Sequence, residues 1–255
     1  MLRVCTWNIN LGLRLDDILE AISKHRDFAG LDLLALQEAS VHGGRQDGDA
    51  IASVLGRGYE CHQVAAQTVR GHVQANALIW NRPHVKVERA GHLQLPRARG
   101  GALLAQQRNT VVVEGGADNH SLLAYSLHLD IFGAEHKQAQ LAHVLQDRDA
   151  RPSADITVVA GDLNLYHLSR WPSWSKLIRA YQRDGFVDAA RSIRWTHSTG
   201  AIPIRQKLDS ILVRSTLDLK LRSWTLPVEG SDHIPLFADL ESATQGPPAV
   251  TDAPE

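Results

Sequence analysis

Six short segments of this chain close on side chains that can bind a cation or move a proton. They are Thr6-Trp7-Asn8-Ile9-Asn10, Leu36-Gln37-Glu38, Ser126-Leu127-His128-Leu129-Asp130, Gly161-Asp162-Leu163-Asn164, Lys207-Leu208-Asp209-Ser210 and Gly230-Ser231-Asp232-His233. In each, an apolar run finishes in a carboxylate, amide or imidazole. Strands of one α/β sheet present their C-terminal ends together, and ligands bind in the crevice outside those ends. One shared site is therefore expected, built from Asn8, Glu38, His128, Asp162, Asn164, Asp209, Asp232 and His233. Its four carboxylates cannot stay ionised side by side without a cation, because like charges raise each other's pKa. Carboxylate and amide oxygens suit a hard ion, Mg²⁺ first and Mn²⁺ as the alternative. The two cysteines, Cys5 and Cys61, are far apart in sequence and do not suggest a thiolate zinc site.

Such a set suits hydrolysis of a phosphate ester. Mg²⁺ polarises a phosphoryl oxygen. An aspartate held by a neighbouring asparagine can orient and deprotonate a water, and an aspartate–histidine pair supplies an imidazole held in one tautomer. Each motif alone has a plainer explanation: a helix N-cap for Ser-Asp-His, a turn for Gly-Asp-x-Asn, a strand end for Leu-Gln-Glu. Six together call for a site. Arg97 and Arg99 could meet a substrate phosphate, whereas Arg108 reads as a solvated strand-edge residue. His42, His62, His72, His84, His92, His120, His136, His143, His167 and His197 show no metal-ligand spacing and read mostly as surface residues. Trp171 and Trp174 read as core or rim packing.

The elements that must position these groups follow from periodicity. Short apolar runs with strand character are Leu2–Ile9, Leu31–Leu36, Ala75–Trp80, Val111–Glu114, Leu122–Leu129, Ile156–Ala160, Leu208–Val213 and Leu236–Leu240. Leu15, Ile18, Leu19 and Ile22 predict an amphipathic helix over 15–27. Ile51, Val54 and Leu55 mark a second helix, stopped near Gly56 and Gly58. Leu141, Val144 and Leu145 mark a third, and Trp174, Leu177, Ile178 and Tyr181 a fourth with Ser173 as N-cap. One domain is expected over residues 1–240, followed by a disordered tail over 241–255 that contains Gly246-Pro247-Pro248.

Composition narrows the partners. The 255 residues carry 27 basic and 28 acidic side chains, a formal net charge of −1, so there is no broad basic surface for tight, non-specific nucleic-acid binding. No apolar stretch is long enough for a membrane span, and the N-terminus does not read as a signal peptide; cytoplasmic residence is the expectation. A phosphate-ester substrate, nucleic acid among the candidates, is the expected partner, and no obligate protein partner is evident.

The same six motifs resemble those of the endonuclease/exonuclease/phosphatase superfamily and occur in its order from residue 6 to residue 233. The resemblance implies an α/β fold: a four-layer αββα sandwich of two packed mixed β-sheets flanked by helices. It implies a Mg²⁺-dependent phosphoesterase, nuclease-type phosphodiesterase first, with a sphingomyelinase-like lipid-headgroup phosphodiesterase or a phosphatase as alternatives and a non-catalytic scaffold below them. By position, Glu38 resembles the principal metal ligand, with Asn8 beside it and Asp232 a metal-proximal carboxylate. Asp162 resembles the group that handles the nucleophilic water, Asn164 its phosphate-contacting partner, and Asp209 the carboxylate that holds His233. His128 matches the nuclease, sphingomyelinase and phosphatase branches; abasic-site endonucleases carry a tyrosine there. Asn76, in Asn76-Ala77-Leu78-Ile79, resembles the family's Gly-Asn-Ala segment with Ala75 in place of glycine, and with Arg99 is assigned to substrate binding. Ser210 departs from the usual aromatic residue after the Asp209-type aspartate.

Overall fold

Strict alternation along the strands sorts the apolar side chains onto two faces. In the computed structural model, which describes residues 1–97, 106–131, 133–165, 172–199 and 204–243, the strands are β1 (Leu2–Asn8), β2 (Leu33–Ala39), β3 (Val41–His42), β4 (Arg45–Gln46), β5 (Tyr59–Val69), β6 (His72–Asn81), β7 (Val85–Gln94) and β8 (Asn109–Ala117). They continue with β9 (His120–His128), β10 (Ile156–Asp162), β11 (Val187–Asp188), β12 (His197–Ser198), β13 (Arg205–Gln206), β14 (Asp209–Ser215), β15 (Leu219–Thr225) and β16 (Leu236–Ser242). The α-helices are α1 (Leu15–Lys24), α2 (Asp47–Leu55), α3 (Ala134–Ala150) and α4 (Pro172–Arg183).

Two six-stranded sheets form, in the orders β15-β16-β1-β2-β6-β5 and β11-β14-β10-β9-β8-β7. Each is antiparallel except for one central parallel pair, β1 with β2 and β9 with β10. The inner faces meet in a core that includes Val4, Ala35, Leu78, Val113, Ala124, Val158 and Ile211. On the outer face of the first sheet, Trp7, Leu34, Leu36 and Ile79 pack with Ile18 and Ile22 of α1 and Ile51 of α2. On the second, Tyr125, Val159 and Leu212 pack with Leu141 and Val144 of α3 and Leu177 of α4. The four-layer sandwich of two mixed sheets flanked by helices is thus the observed architecture.

The eight apolar runs all become strands. Those without a run lie at the sheet edges: β5, β7 and β15 are half-exposed, and β7 carries Lys86, Glu88 and Arg89, which suits an edge that must resist further pairing. The first helix ends at Lys24, short of the expected residue 27, because His25 turns to an extended conformation and Arg26–Phe28 forms a 3₁₀ turn. Helix α4 starts at Pro172, where a fixed φ and a missing N–H cost nothing, rather than after Ser173. Strand β16 runs to Ser242, beyond the expected boundary at 240. The readings placed on Arg99, His167, Trp171 and the segment from 244 onward lie outside the described residues, as does the reading of the Trp174 side chain.

Candidate active site

The inner-face parity that builds the central core leads directly to the polar set. Counting by twos from Val4 reaches Thr6 and Asn8; from Ala124, Ser126 and His128; from Val158, Ala160 and Asp162; from Ile211 back, Asp209. Register does the rest. Asp162 lies opposite His128 across the parallel β9–β10 pair and opposite Asp209 across the antiparallel β10–β14 pair. Asp209 therefore stands at the start of its strand, and Asp232 and His233 precede β16; these two segments reach the site by antiparallel pairing and not as C-terminal ends.

Two backbone devices complete the arrangement. By simple alternation Glu38 would follow Leu34 and Leu36 into the layer beneath α1. A bulge against β6 between Leu36 and Ala39, with Glu38 at φ +53°, gives that place to Ala39 and re-aims the glutamate. At Gly161 a Cβ atom would lie 1.8 Å from the Leu127 carbonyl oxygen, so only glycine lets β9 and β10 close up beside Asp162.

A cleft of about 130 Å³ is lined by Asn8, Glu38, His128, Asp162, Asn164, Asp232 and His233, with His197, Leu208 and Ile131. Larger hollows near α2 and α4 have no comparable convergence of acids and imidazoles. Asp162 accepts hydrogen bonds from the Asn8 side-chain amide at 3.1 Å and the Asn164 backbone N–H at 2.8 Å. Its pKa is nonetheless raised, by burial first and by Asp209 second, against the pull of His233. His233 Nδ1 lies 2.8 Å from Asp209, and its Nε2 is 3.8 Å from Asp162. Burial favours its neutral form, but Asp209, Asp162 and Asp232 together outweigh burial and push the pKa up to about 10. Glu38 is raised by burial, partly offset by Arg108 and His233.

His128 Nε2 stands 3.8 Å from Glu38 and 3.7 Å from Asp162. Its Nδ1 is 2.9 Å from Arg108 Nη1. A guanidinium can only donate, so Nδ1 accepts and the ring proton sits on Nε2, facing the carboxylates. Burial first, then Arg108 and His233, hold its pKa well below the usual histidine range, so the ring is neutral. Arg108 itself is 1% exposed, which corrects its reading as a solvated edge residue: it precedes β8 and turns inward to meet His128 and Gln74. His197 is likewise a buried wall residue and not a surface one, because the segment around it is paired to the backbone of His233. Neither had a spacing signal in the sequence. Asn76 is not in the cleft; its amide donates to Asn109 between the sheets. Asn164 Nδ2 donates to the Leu129 carbonyl at 2.9 Å.

The donor set fits a hard divalent cation. Glu38, Asn8 and Asp232 line the cleft and carry oxygen donors, and Asp209 Oδ1 is buried with no hydrogen-bond partner among the described residues.

Fold and cleft together define a phosphoester-hydrolysing α/β sandwich. The endonuclease/exonuclease/phosphatase family model matches residues 5–233, and the chain belongs to this family. It is 24% identical over 168 residues to type IV inositol polyphosphate 5-phosphatase 11 of Arabidopsis thaliana; the match takes in 64% of this chain and 48% of that protein, so the chain spans about half the length of its curated relative. Among solved structures, a family member from Leptotrichia buccalis superposes with a TM-score of 0.73 at 15% identity, covering 94% of this chain and 100% of the other. A mannosyl-6-phosphatase from Bacteroides thetaiotaomicron gives 0.68 at 14% identity, with 94% and 100% covered. At such identities these two likenesses establish the fold. Members of the family hydrolyse phosphoester bonds and generally use divalent metal ions. No described helix is long and apolar enough to cross a membrane.

Proposed function

We propose that the protein is a Mg²⁺-dependent phosphoesterase acting on a small, accessible phosphate ester. The observation that carries this reading is Asp162, flanked in register by His128 and Asp209 and facing Glu38 and His233 across one narrow cleft. Glu38, Asn8 and Asp232 would hold the ion, which supplies charge stabilisation to the phosphoryl group when bound. Asp162, steadied by Asn8 and the Asn164 amide, orients and deprotonates the attacking water; its raised pKa makes it a better base than an ordinary carboxylate. His233, kept protonated by Asp209, donates from Nε2 to a phosphoryl oxygen, and His128 donates from its own Nε2. Attack is in line, and positioning does most of the catalysis.

For the substrate, a cleft of about 130 Å³, a net charge of −1 and a phosphatase relative favour a terminal phosphomonoester. The nuclease-type phosphodiester is the second reading; His128, which matches the nuclease and phosphatase branches alike, is compatible with both. The test offers oligonucleotides, sphingomyelin, inositol phosphates and sugar phosphates in parallel with Mg²⁺, then after chelation. Glu38→Ala and His233→Ala should each abolish turnover with the fold retained. Unchanged rates in both, or turnover that survives chelation, end the proposal.

A further inference from the structure

His197 has no part in the reaction just described, yet it is built into the cleft wall. The Ser198 N–H donates to the Asp232 carbonyl at 3.0 Å and the Ile234 N–H to the Thr196 carbonyl at 2.8 Å. His197 and His233 are thus a non-hydrogen-bonded antiparallel pair, the arrangement that sets side chains closest. Their rings lie 4.6 Å apart. The Thr196 hydroxyl oxygen accepts the Leu208 and Asp209 N–H groups, which locks this segment to the start of β14. The ring Nδ1 of His197 is buried and has no hydrogen-bond partner among the described residues.

We propose that His197, Asp232 and His233 form a binding site for a nitrogen-preferring divalent cation, Zn²⁺ above all, and that its occupation withdraws His233 and Asp232 from hydrolysis. One donor atom from each of the three residues lies within 4.8 Å of the others. His197 Nε2 and Asp232 Oδ2 are 3.5 Å apart. This is long for a hydrogen bond. It matches the edge of a zinc tetrahedron, about 3.4 Å for bonds of about 2.1 Å. Asp232, the exposed member, can turn to close the set. His233 already carries the buttress that zinc-binding histidines use, its Nδ1 held by the Asp209 carboxylate; Zn²⁺ takes Nε2 by displacing its proton to solvent. Two imidazoles and one carboxylate select Zn²⁺ over Mg²⁺, whereas Asn8 and Glu38 offer oxygen alone. Asp232 is common to both groups, and its charge is felt at Glu38, so the two ions compete.

Zinc binding is measured on the full chain without substrate, by competition with a chromophoric chelator; this arm does not depend on the phosphoesterase reading. His197→Phe, His197→Gln and Asp232→Asn should each weaken Zn²⁺ binding at least about 10-fold, the loss that zinc second-sphere changes alone produce. Glu38→Gln should leave it within about 3-fold. Melting curves of the metal-free variants check the fold. A second arm rests on the proposed function: with Mg²⁺ and a hydrolysed substrate, micromolar Zn²⁺ should inhibit the native chain, and His197→Phe should need at least about 10-fold more. Equal zinc affinity in the native chain and both His197 variants overturns the site, as does loss of binding in Glu38→Gln. Zinc binding without inhibition overturns the regulatory half alone.

Discussion

Arg108→Met tests the tautomer argument at its source. The substitution keeps an unbranched chain of similar length in a position that is 1% exposed and removes the donor facing His128 Nδ1. Gln74 loses one contact but keeps its partner Gln67 at 2.6 Å, and Glu38 loses a positive charge that holds its pKa down, so the effect on the histidine is read at alkaline pH, where Glu38 stays ionised in both proteins. A hydrogen bond to a charged group contributes about 1.5–3 kcal/mol. At about 1.4 kcal/mol per decade this corresponds to roughly a 10- to 150-fold fall in kcat if His128 must present Nε2–H. The pH dependence has a sign. In the native chain Arg108 helps hold the His128 pKa low, so the variant's pKa rises. At alkaline pH the variant ring is neutral and divides between two tautomers, and the defect is greatest. As pH falls and the ring protonates, both nitrogens carry hydrogen, and the native-to-variant ratio of kcat shrinks. Nitrogen NMR of His128 reads the tautomer directly, and added guanidinium should restore part of the rate. A variant with kcat within about 3-fold of native and an unchanged Nε2–H signal refutes the reasoning.

Three further outcomes are expected. Asp162→Asn should lower kcat by roughly 10²- to 10⁴-fold, the range for loss of a general base, with substrate KM little changed in steady-state assays. Gly161→Ala drives a methyl against the Leu127 carbonyl and should cost at least about 2 kcal/mol, seen as a Tm lower by roughly 4–8 °C in a chain of this size. The His233–Asp209 pair raises a histidine pKa from the usual 6.5 to about 10. Its stabilisation is therefore fully present below pH 6.5 and lost as pH climbs toward 10, so the Tm difference between the native chain and His233→Asn should narrow over that interval.

Much of this site is legible in sequence because it uses the period of two. Asn8, His128, Asp162 and Asp209 sit on the parity of the inner core, so an apolar run read as a strand carries its polar end residue to the same face. The edge strands β5, β7 and β15 were not legible in this way, since half-exposed strands dilute the apolar run that announces a strand. Arg108 and His197 escaped for a different reason. His197 reaches the cleft by pairing onto the distant residues before β16, and Arg108 lies behind the cleft, meeting His128 from the position before β8; no local pattern encodes either contact.

Glu38 shows where parity alone misleads. Its motif marks it as a ligand, but its position in β2 assigns it to the outer layer with Leu34 and Leu36. The bulge resolves the conflict at the cost of a left-handed backbone at a residue that has a side chain. Such strain persists where the surroundings over-determine it. Here Gln37, just before it, donates from Nε2 to Ser126 Oγ at 3.1 Å and accepts from the Thr6 hydroxyl through Oε1 at 3.1 Å. Ser126 in turn donates to the Leu36 carbonyl at 2.9 Å. One glutamine thus ties the end of β2 to β1 beside it in the same sheet and to β9 across the sheet interface, and the glutamate beyond it lines the cleft.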